Sequence, residues 1–162
     1  MGRTFIEPSE QIRSLGVKLK HNINKSLVKN KSITLIDDSL VRGTTSVKII
    51  KMLYDAGAKQ VHLRIASPPI KFPDYYGVDT PDQNELLASK LDVEGMRKFI
   101  NATTLKFLSI KGLYVSMGFE KRNSTYPQFT DHCFTGEYPV EPIDANQKIF
   151  SNKKLSYMSS KS

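Results

Sequence analysis

Cysteine is nearly missing from this chain: one residue, Cys133, among 162. A single thiol excludes an internal disulfide and suits a reducing cytoplasm. It also excludes a centre built from several thiolates. The neighbouring His132 and Cys133 lack the further ligands that a metal site of three or four donors requires. No apolar run is long enough to span a bilayer. The opening Met-Gly-Arg-Thr-Phe soon turns charged, so no secretory leader is expected and the location expected is cytoplasmic. Internal repeats are absent. Charge of one sign is in excess, at a formal +8, yet the lysines are scattered. Lys18-Leu19-Lys20-His21 and Lys153-Lys154 are the clusters, with no aromatics between them and no nucleic-acid motif nearby. Nucleic acid and membrane are therefore set aside as partners.

Apolar segments of strand length alternate with helical periodicity, and this order implies a parallel sheet flanked by helices. Ile12, Leu15 and Leu19 lie on one side of a helix expected over residues 8–21, followed by a polar connector to residue 31. Strands are expected at residues 33–36, 61–66 and 105–108. Val47, Ile50, Leu53 and Tyr54 mark a helix that Gly57 closes. The prolines at 68, 69 and 73 place a loop over residues 67–79. Thr80-Pro81-Asp82-Gln83 reads as a helix start with a capping box. Asp92 and Ser109 are expected to cap two further helices. Past Glu120 the signal fades, and the Lys- and Ser-rich residues 146–162 read as a mobile tail. His62 falls on the polar phase of its strand and reads as a surface residue rather than a base. His21 reads as complementing a helix C-terminus.

Most of the chemistry is concentrated in residues 33–46. Ile33, Leu35 and Ile36 form a short buried strand, and Asp37 and Asp38 stand at its carboxyl end, where open α/β sheets bind ligands. Adjacent side chains on an extended backbone point to opposite sides, so the two acids can grip two groups at once, such as two ribose hydroxyls. Carboxylates also suit Mg²⁺. Ser39, Leu40 and Val41 lead to Arg42-Gly43-Thr44-Thr45-Ser46. Gly43 permits unusual backbone angles and a close ligand approach. The hydroxyl residues are expected to cap a helix whose N-terminus can hold a phosphate. A phosphorylated sugar with bound Mg²⁺ needs both features in one loop.

The run Asp37 to Ser46 resembles the phosphoribosyl-pyrophosphate (PRPP) motif of type I phosphoribosyltransferases, and in its full wording that of the amidophosphoribosyltransferase family. The resemblance extends through Gly2-Arg3-Thr4-Phe5-Ile6, Ser67-Pro68-Pro69-Ile70, Tyr76-Gly77-Val78-Asp79-Thr80, Glu85-Leu86-Leu87-Ala88, residues 105–113 and Phe134-Thr135-Gly136-Glu137-Tyr138-Pro139. It implies a type I phosphoribosyltransferase-like fold, incomplete at the N-terminus. Residues 1–123 would be the C-terminal portion of the transferase domain, 124–145 a C-terminal extension and 146–162 the tail.

The resemblance further implies Arg3 and Thr4 as catalytic residues at the trailing edge of a flexible loop, beside Asp37 and Asp38. Asp37, Asp38, Ser39, Arg42, Gly43, Thr44, Thr45 and Ser46 would bind substrate, and Asp37 and Asp38 would hold Mg²⁺ directly or through water. The implied reaction transfers ammonia, from glutamine in full-length members, to PRPP, giving 5-phosphoribosylamine and pyrophosphate at the first step of purine synthesis. Purine nucleotides would inhibit at the same cradle, and the full enzyme would be a homo-oligomer. The glutaminase domain and the first part of the transferase domain would lie upstream of Met1. Some relatives hold an iron–sulfur cluster. Asp74 and Thr130 match two of their ligand positions and leave Cys133 as a remnant, so no cluster is expected here. Two alternatives stand beside this reading: a fragment that binds PRPP or nucleotides without turnover and, more remotely, a receiver domain. The latter wants a phospho-acceptor acid after the next strand, where Ser67-Pro68-Pro69 offers none.

Overall fold

The computed structural model describes residues 23–78, 80–138 and 140. The helix expected over 8–21, with His21, and the tail at 146–162 lie outside the described residues, as do Arg3 and Thr4. Within them, β1 (Ser32–Asp37), β2 (Gln60–Ile65) and β3 (Thr104–Phe107) form one parallel sheet in the order β1-β2-β3. This is the parallel α/β sheet flanked by helices that the alternation of periods implies.

Register explains how the sheet divides its residues. Leu35 faces Leu63, and Leu63 faces Leu105, while Ile33 faces Val61 and Ile65 faces Phe107. Because strand side chains alternate with period two, these residues share one face. Helices α2 (Thr44–Asp55) and α4 (Val93–Phe99) supply Ile50, Leu53 and Met96 to the same core cluster, with Ile100 just past α4. The other face carries Thr34, His62 and Thr104 in one row and Ile36, Arg64 and Lys106 in the next. His62 is half-buried there, not a free surface residue. Its Nδ1 lies 2.8 Å from Thr104 Oγ1 and its Nε2 lies 3.1 Å from Ser32 Oγ, so hydroxyls from both flanking strands hold the ring. The expectation of a fully buried β1 is corrected: its burial alternates, with Ile33 and Leu35 half-buried toward the core and Ile36 73% exposed on the other face.

Local signals place most element ends. Asp92 accepts from the Gly95 amide and Ser109 from the Gly112 amide, starting α4 and α5 (Ile110–Ser116) as expected. Gly57, at φ +92°, follows the last residue of α2's cap, as expected. Three expectations change. The polar connector contains a one-turn helix, α1 (Lys25–Val28), capped by Asn24. Thr80 starts no helix: its hydroxyl accepts instead from the Asp74 amide at 2.6 Å, closing the proline-rich loop on itself. A 3-10 turn (Gln83–Glu85) and the short α3 (Leu87–Lys90) follow. Beyond residue 120, where the sequence signal fades, α6 (His132–Thr135) forms.

That last segment is tied back by polar contacts. Arg122 donates to Asp131 through Nε at 2.5 Å and Nη2 at 3.1 Å, and Nη2 also meets Glu137 at 2.7 Å. Tyr114 Oη donates to the same Asp131 carboxylate at 2.9 Å. Burial opposes charge on Asp131, but the hydrogen bonds from Arg122 and Tyr114 and the Arg122 charge outweigh it and hold the carboxyl below its ordinary range. Burial, reinforced by Asp131, pushes the Tyr114 hydroxyl up. Farther along, Lys71 and Phe72 donate their amides to the Cys133 carbonyl, and Tyr138 Oη donates to the Pro73 carbonyl. Burial foremost, aided by Tyr75 and Asp74, raises Tyr138 to about 12.

Candidate active site

β1 ends on Asp37, at the carboxyl edge of the sheet opposite Ile65. Asp37 lies on the core-facing phase with Leu35 and is half-buried, whereas Asp38 is exposed. The Asp38 amide donates to Asp37 Oδ1 at 3.1 Å, and Ser39 Oγ donates to Asp38 Oδ1 at 3.2 Å. The carboxylates thus sit at the start of a turn that Leu40, 2% exposed, anchors in the core.

Gly43 then takes φ +77° and becomes the residue before α2. The expectation that Thr or Ser caps this helix is corrected: Gly43 holds the cap position and no side chain closes it. Thr44, Thr45 and Ser46 are instead the first three helical residues. The first intrahelical bond runs from the Val47 amide to the Gly43 carbonyl at 2.9 Å. The amides of Thr44, Thr45 and Ser46 therefore have no intrahelical acceptor. Three donors at the positive end of a twelve-residue helix are an arrangement that can hold an anion. Thr44 and Thr45 are exposed beside it, and Ser46 is buried.

Of the expected substrate-binding residues, the seven other than Arg42 lie together in one loop: Asp37, Asp38, Ser39, Gly43, Thr44, Thr45 and Ser46. Arg42 is in the same turn, but its Nε–H donates to Glu85 Oε2 at 2.7 Å, a partner 43 residues away. Glu85 carries no local signal: it lies in the family-like run Glu85-Leu86-Leu87-Ala88, and its partner comes from a distant part of the chain.

Asp74 and Cys133, two positions compared with cluster ligands, sit near one another. Asp74 Oδ2 accepts from His132 Nε2 at 2.8 Å, and the Tyr138 ring stacks on His132 at a centroid distance of 4.3 Å. Thr130 is exposed. Burial raises the Cys133 thiol above its ordinary value. Among the described residues, no three His, Cys, Asp or Glu side chains gather as a metal site. Two carboxylates in one turn still fit a cation of the Mg²⁺ type, which is usually held by one or two carboxylates together with substrate phosphates.

The amidophosphoribosyltransferase of Rhizobium etli is 56% identical to this chain over 154 residues, 94% of the chain and 31% of the relative. This chain belongs to the amidophosphoribosyltransferase family. The Bacillus subtilis amidophosphoribosyltransferase is 47% identical over 141 residues, 87% of the chain and 29% of that protein. A chloroplastic amidophosphoribosyltransferase of Arabidopsis thaliana is 48% identical over 148 residues, 91% of the chain and 26% of that protein. The chain thus spans about a third or less of the length of these relatives. Among solved structures, the glutamine PRPP amidotransferase of B. subtilis complexed with ADP and GMP matches at 44% identity with a TM-score of 0.66 over 86% of this chain. A structure described as the allosteric regulatory enzyme of purine biosynthesis matches at 43% identity, with the same TM-score, over 87% of this chain. Both chains are covered to 30%. No protein-family model matches the sequence. Among the described residues, no helix is long and apolar enough to cross a membrane.

Proposed function

We propose that this chain carries the PRPP-binding half of an amidophosphoribosyltransferase centre, in which ammonia replaces pyrophosphate on PRPP. The observation that supports it most is the placement of Asp37 and Asp38 one turn from the three open amides of α2. A 5′-phosphate accepts from the Thr44, Thr45 and Ser46 amides and lies against Gly43. With the phosphate held there, the ribose hydroxyls face Asp37 and Asp38, which accept from them. The nitrogen of ammonia bonds to the anomeric carbon as the bond to the pyrophosphate oxygen breaks, and the nitrogen's surplus proton passes to water. Positive charge grows on the sugar, and the two carboxylates stabilise it. Asp37 and Asp38 are also the residues that would hold Mg²⁺, whose chemistry there is to offset charge on the leaving pyrophosphate. Fixing the sugar between strand end and helix end supplies orientation rather than a general base. Arg3 and Thr4, carried over from the family resemblance, would be further catalytic residues of this centre.

GMP and ADP are bound by the B. subtilis enzyme whose fold this chain shares. By the same chemistry a purine nucleoside monophosphate would place its phosphate on the α2 amides. The relatives are longer, and we assign to their additional length the glutaminase, the pyrophosphate loop and the remaining cover of the sheet, including Ile36, with a homo-oligomeric cytoplasmic enzyme as the whole. The second reading, a chain that binds PRPP or nucleotide without turnover, draws on the same loop. Pyrophosphate release from PRPP and ammonia tests the two. The chain alone is expected to be nearly inactive, and to gain activity when the upstream part of a close relative is added as a separate polypeptide. Binding without activity in the reconstituted pair would favour the second reading.

A further inference from the structure

Three contacts made by residues 85–87 converge on the back of the phosphate loop. Glu85 Oε2 accepts from Arg42 Nε at 2.7 Å. The Leu87 amide donates to the Val41 carbonyl at 2.8 Å. Leu87 Cδ2 lies 2.8 Å from where a side chain at Gly43 would begin, with Phe99 Cε1 at 3.1 Å. These contacts meet three consecutive loop residues, 41, 42 and 43. They come from a segment that is itself fixed: Leu86 is fully buried and Leu87 nearly so. Ser89 Oγ bonds the Leu86 carbonyl at 2.8 Å and the Gln83 carbonyl at 2.5 Å, bracing the turn before α3.

Glu85 differs from the other two contacts in kind. Leu87 and Phe99 set the backbone by packing, whereas Glu85 acts on a cation inside the candidate site. Both side chains of this pair are substantially exposed, at 40% for Arg42 and 50% for Glu85, so the pair adds little to stability. Its consequence is geometric. A guanidinium is a rigid planar fork, and a carboxylate on Nε fixes the fork's plane while leaving the Nη groups able to donate to an anion. Among the described residues, Glu85 is the acceptor recorded for Arg42.

We propose that Glu85 is a positioning residue of the phosphate loop, holding Arg42 so that its guanidinium serves a phosphate-bearing ligand seated on the α2 amides. This rests on the loop being the PRPP site. In the absence of the carboxylate, Arg42 samples several rotamers and the ligand must order it on binding, which weakens affinity.

The test is titration calorimetry of Mg²⁺-PRPP into the whole 162-residue chain, with thermal unfolding measured on every variant. Glu85→Ala is expected to weaken binding by roughly tenfold with an unchanged unfolding midpoint, and Glu85→Gln, which keeps an acceptor for Nε, to recover part of that loss. In the Arg42→Ala background, Glu85→Ala is expected to have no further effect. Equal affinity for wild type and Glu85→Ala would overturn the positioning role and leave the site intact. Tighter binding by Glu85→Ala would also overturn it, showing that Glu85 competes with phosphate for Arg42. Absence of binding by the wild type, with the Arg42 Nε–H still bonded to Glu85 by nuclear magnetic resonance, would reject the PRPP site and the proposal with it.

Discussion

His132 and Asp74 lie 58 residues apart in sequence, and a 2.8 Å hydrogen bond from Nε2 to Oδ2 joins them in a nearly closed environment. The side chain of His132 is 2% exposed and that of Asp74 is 10% exposed. Through this bond α6 is fixed to the loop that follows β2. His132 Nδ1 is buried without a partner among the described residues, so Nε2 is the ring's one anchoring atom. Asp74→Ala would leave both ring nitrogens unpaired and should cost about 2 kcal/mol. Asp74→Asn, which keeps an acceptor, should cost less. Urea unfolding of the two variants beside the wild type checks the order.

Asp131 joins Arg122 and Tyr114 in the second tie to the C-terminal segment. Its carboxyl titrates below the ordinary range when folded. A depressed acid adds stability that is present above its unfolded pKa of about 3.9 and is lost as pH falls through the lower folded value. Asp131→Asn should therefore be less stable than the wild type at neutral pH, by about 3 kcal/mol for a broken buried pair. The difference should shrink below about pH 4. Unfolding midpoints of both proteins between neutral and acid pH measure this.

Gly43 couples backbone conformation to the candidate site. Its φ of +77° strains any L side chain, and a Cβ there would meet Leu87 Cδ2 at 2.8 Å. Gly43→Ala should destabilise by about 1–2 kcal/mol and should weaken phosphate-ligand binding, because the α2 amides must shift when the loop moves. Leu87→Ala in the same chain should relieve the crowding and recover part of the binding. Parallel unfolding and PRPP titration of the single and double variants would show whether the loss travels through this contact.

The parts of this molecule that were legible in its sequence are local ones. A strand of Ile33, Leu35 and Ile36 ending on two acids, Gly43 before a periodic helix, and the caps at Asp92 and Ser109 each depend on residues within a few positions of one another. The order of strand, turn and helix is local because backbone conformation is set by neighbours, although Gly43 rather than a hydroxyl residue takes the cap. Thr80 shows the limit of that approach. Its capping-box spacing is genuine, yet its hydroxyl serves the Asp74 amide because the chain turns back on itself between them. The pairs Asp74–His132, Arg122–Asp131 and Arg42–Glu85 depend on how separated segments pack, and no spacing encodes them. The short helices α1 and α6 carry no such signal for a related reason: one turn of helix has no periodicity, and tertiary contacts hold it.

Asp37 and Asp38, beside the open amides of α2, are proposed to form a PRPP site. Calorimetric titration of Mg²⁺-PRPP into the wild-type chain and into the Asp37→Asn, Asp38→Asn double variant tests it most directly. The acids are at the strand end and not in the core cluster, so the variant should keep its fold, which circular dichroism verifies. Binding by the wild type and a loss of at least about a hundredfold, or nearly 3 kcal/mol, in the variant are expected. Equal affinity in two folded proteins would contradict it.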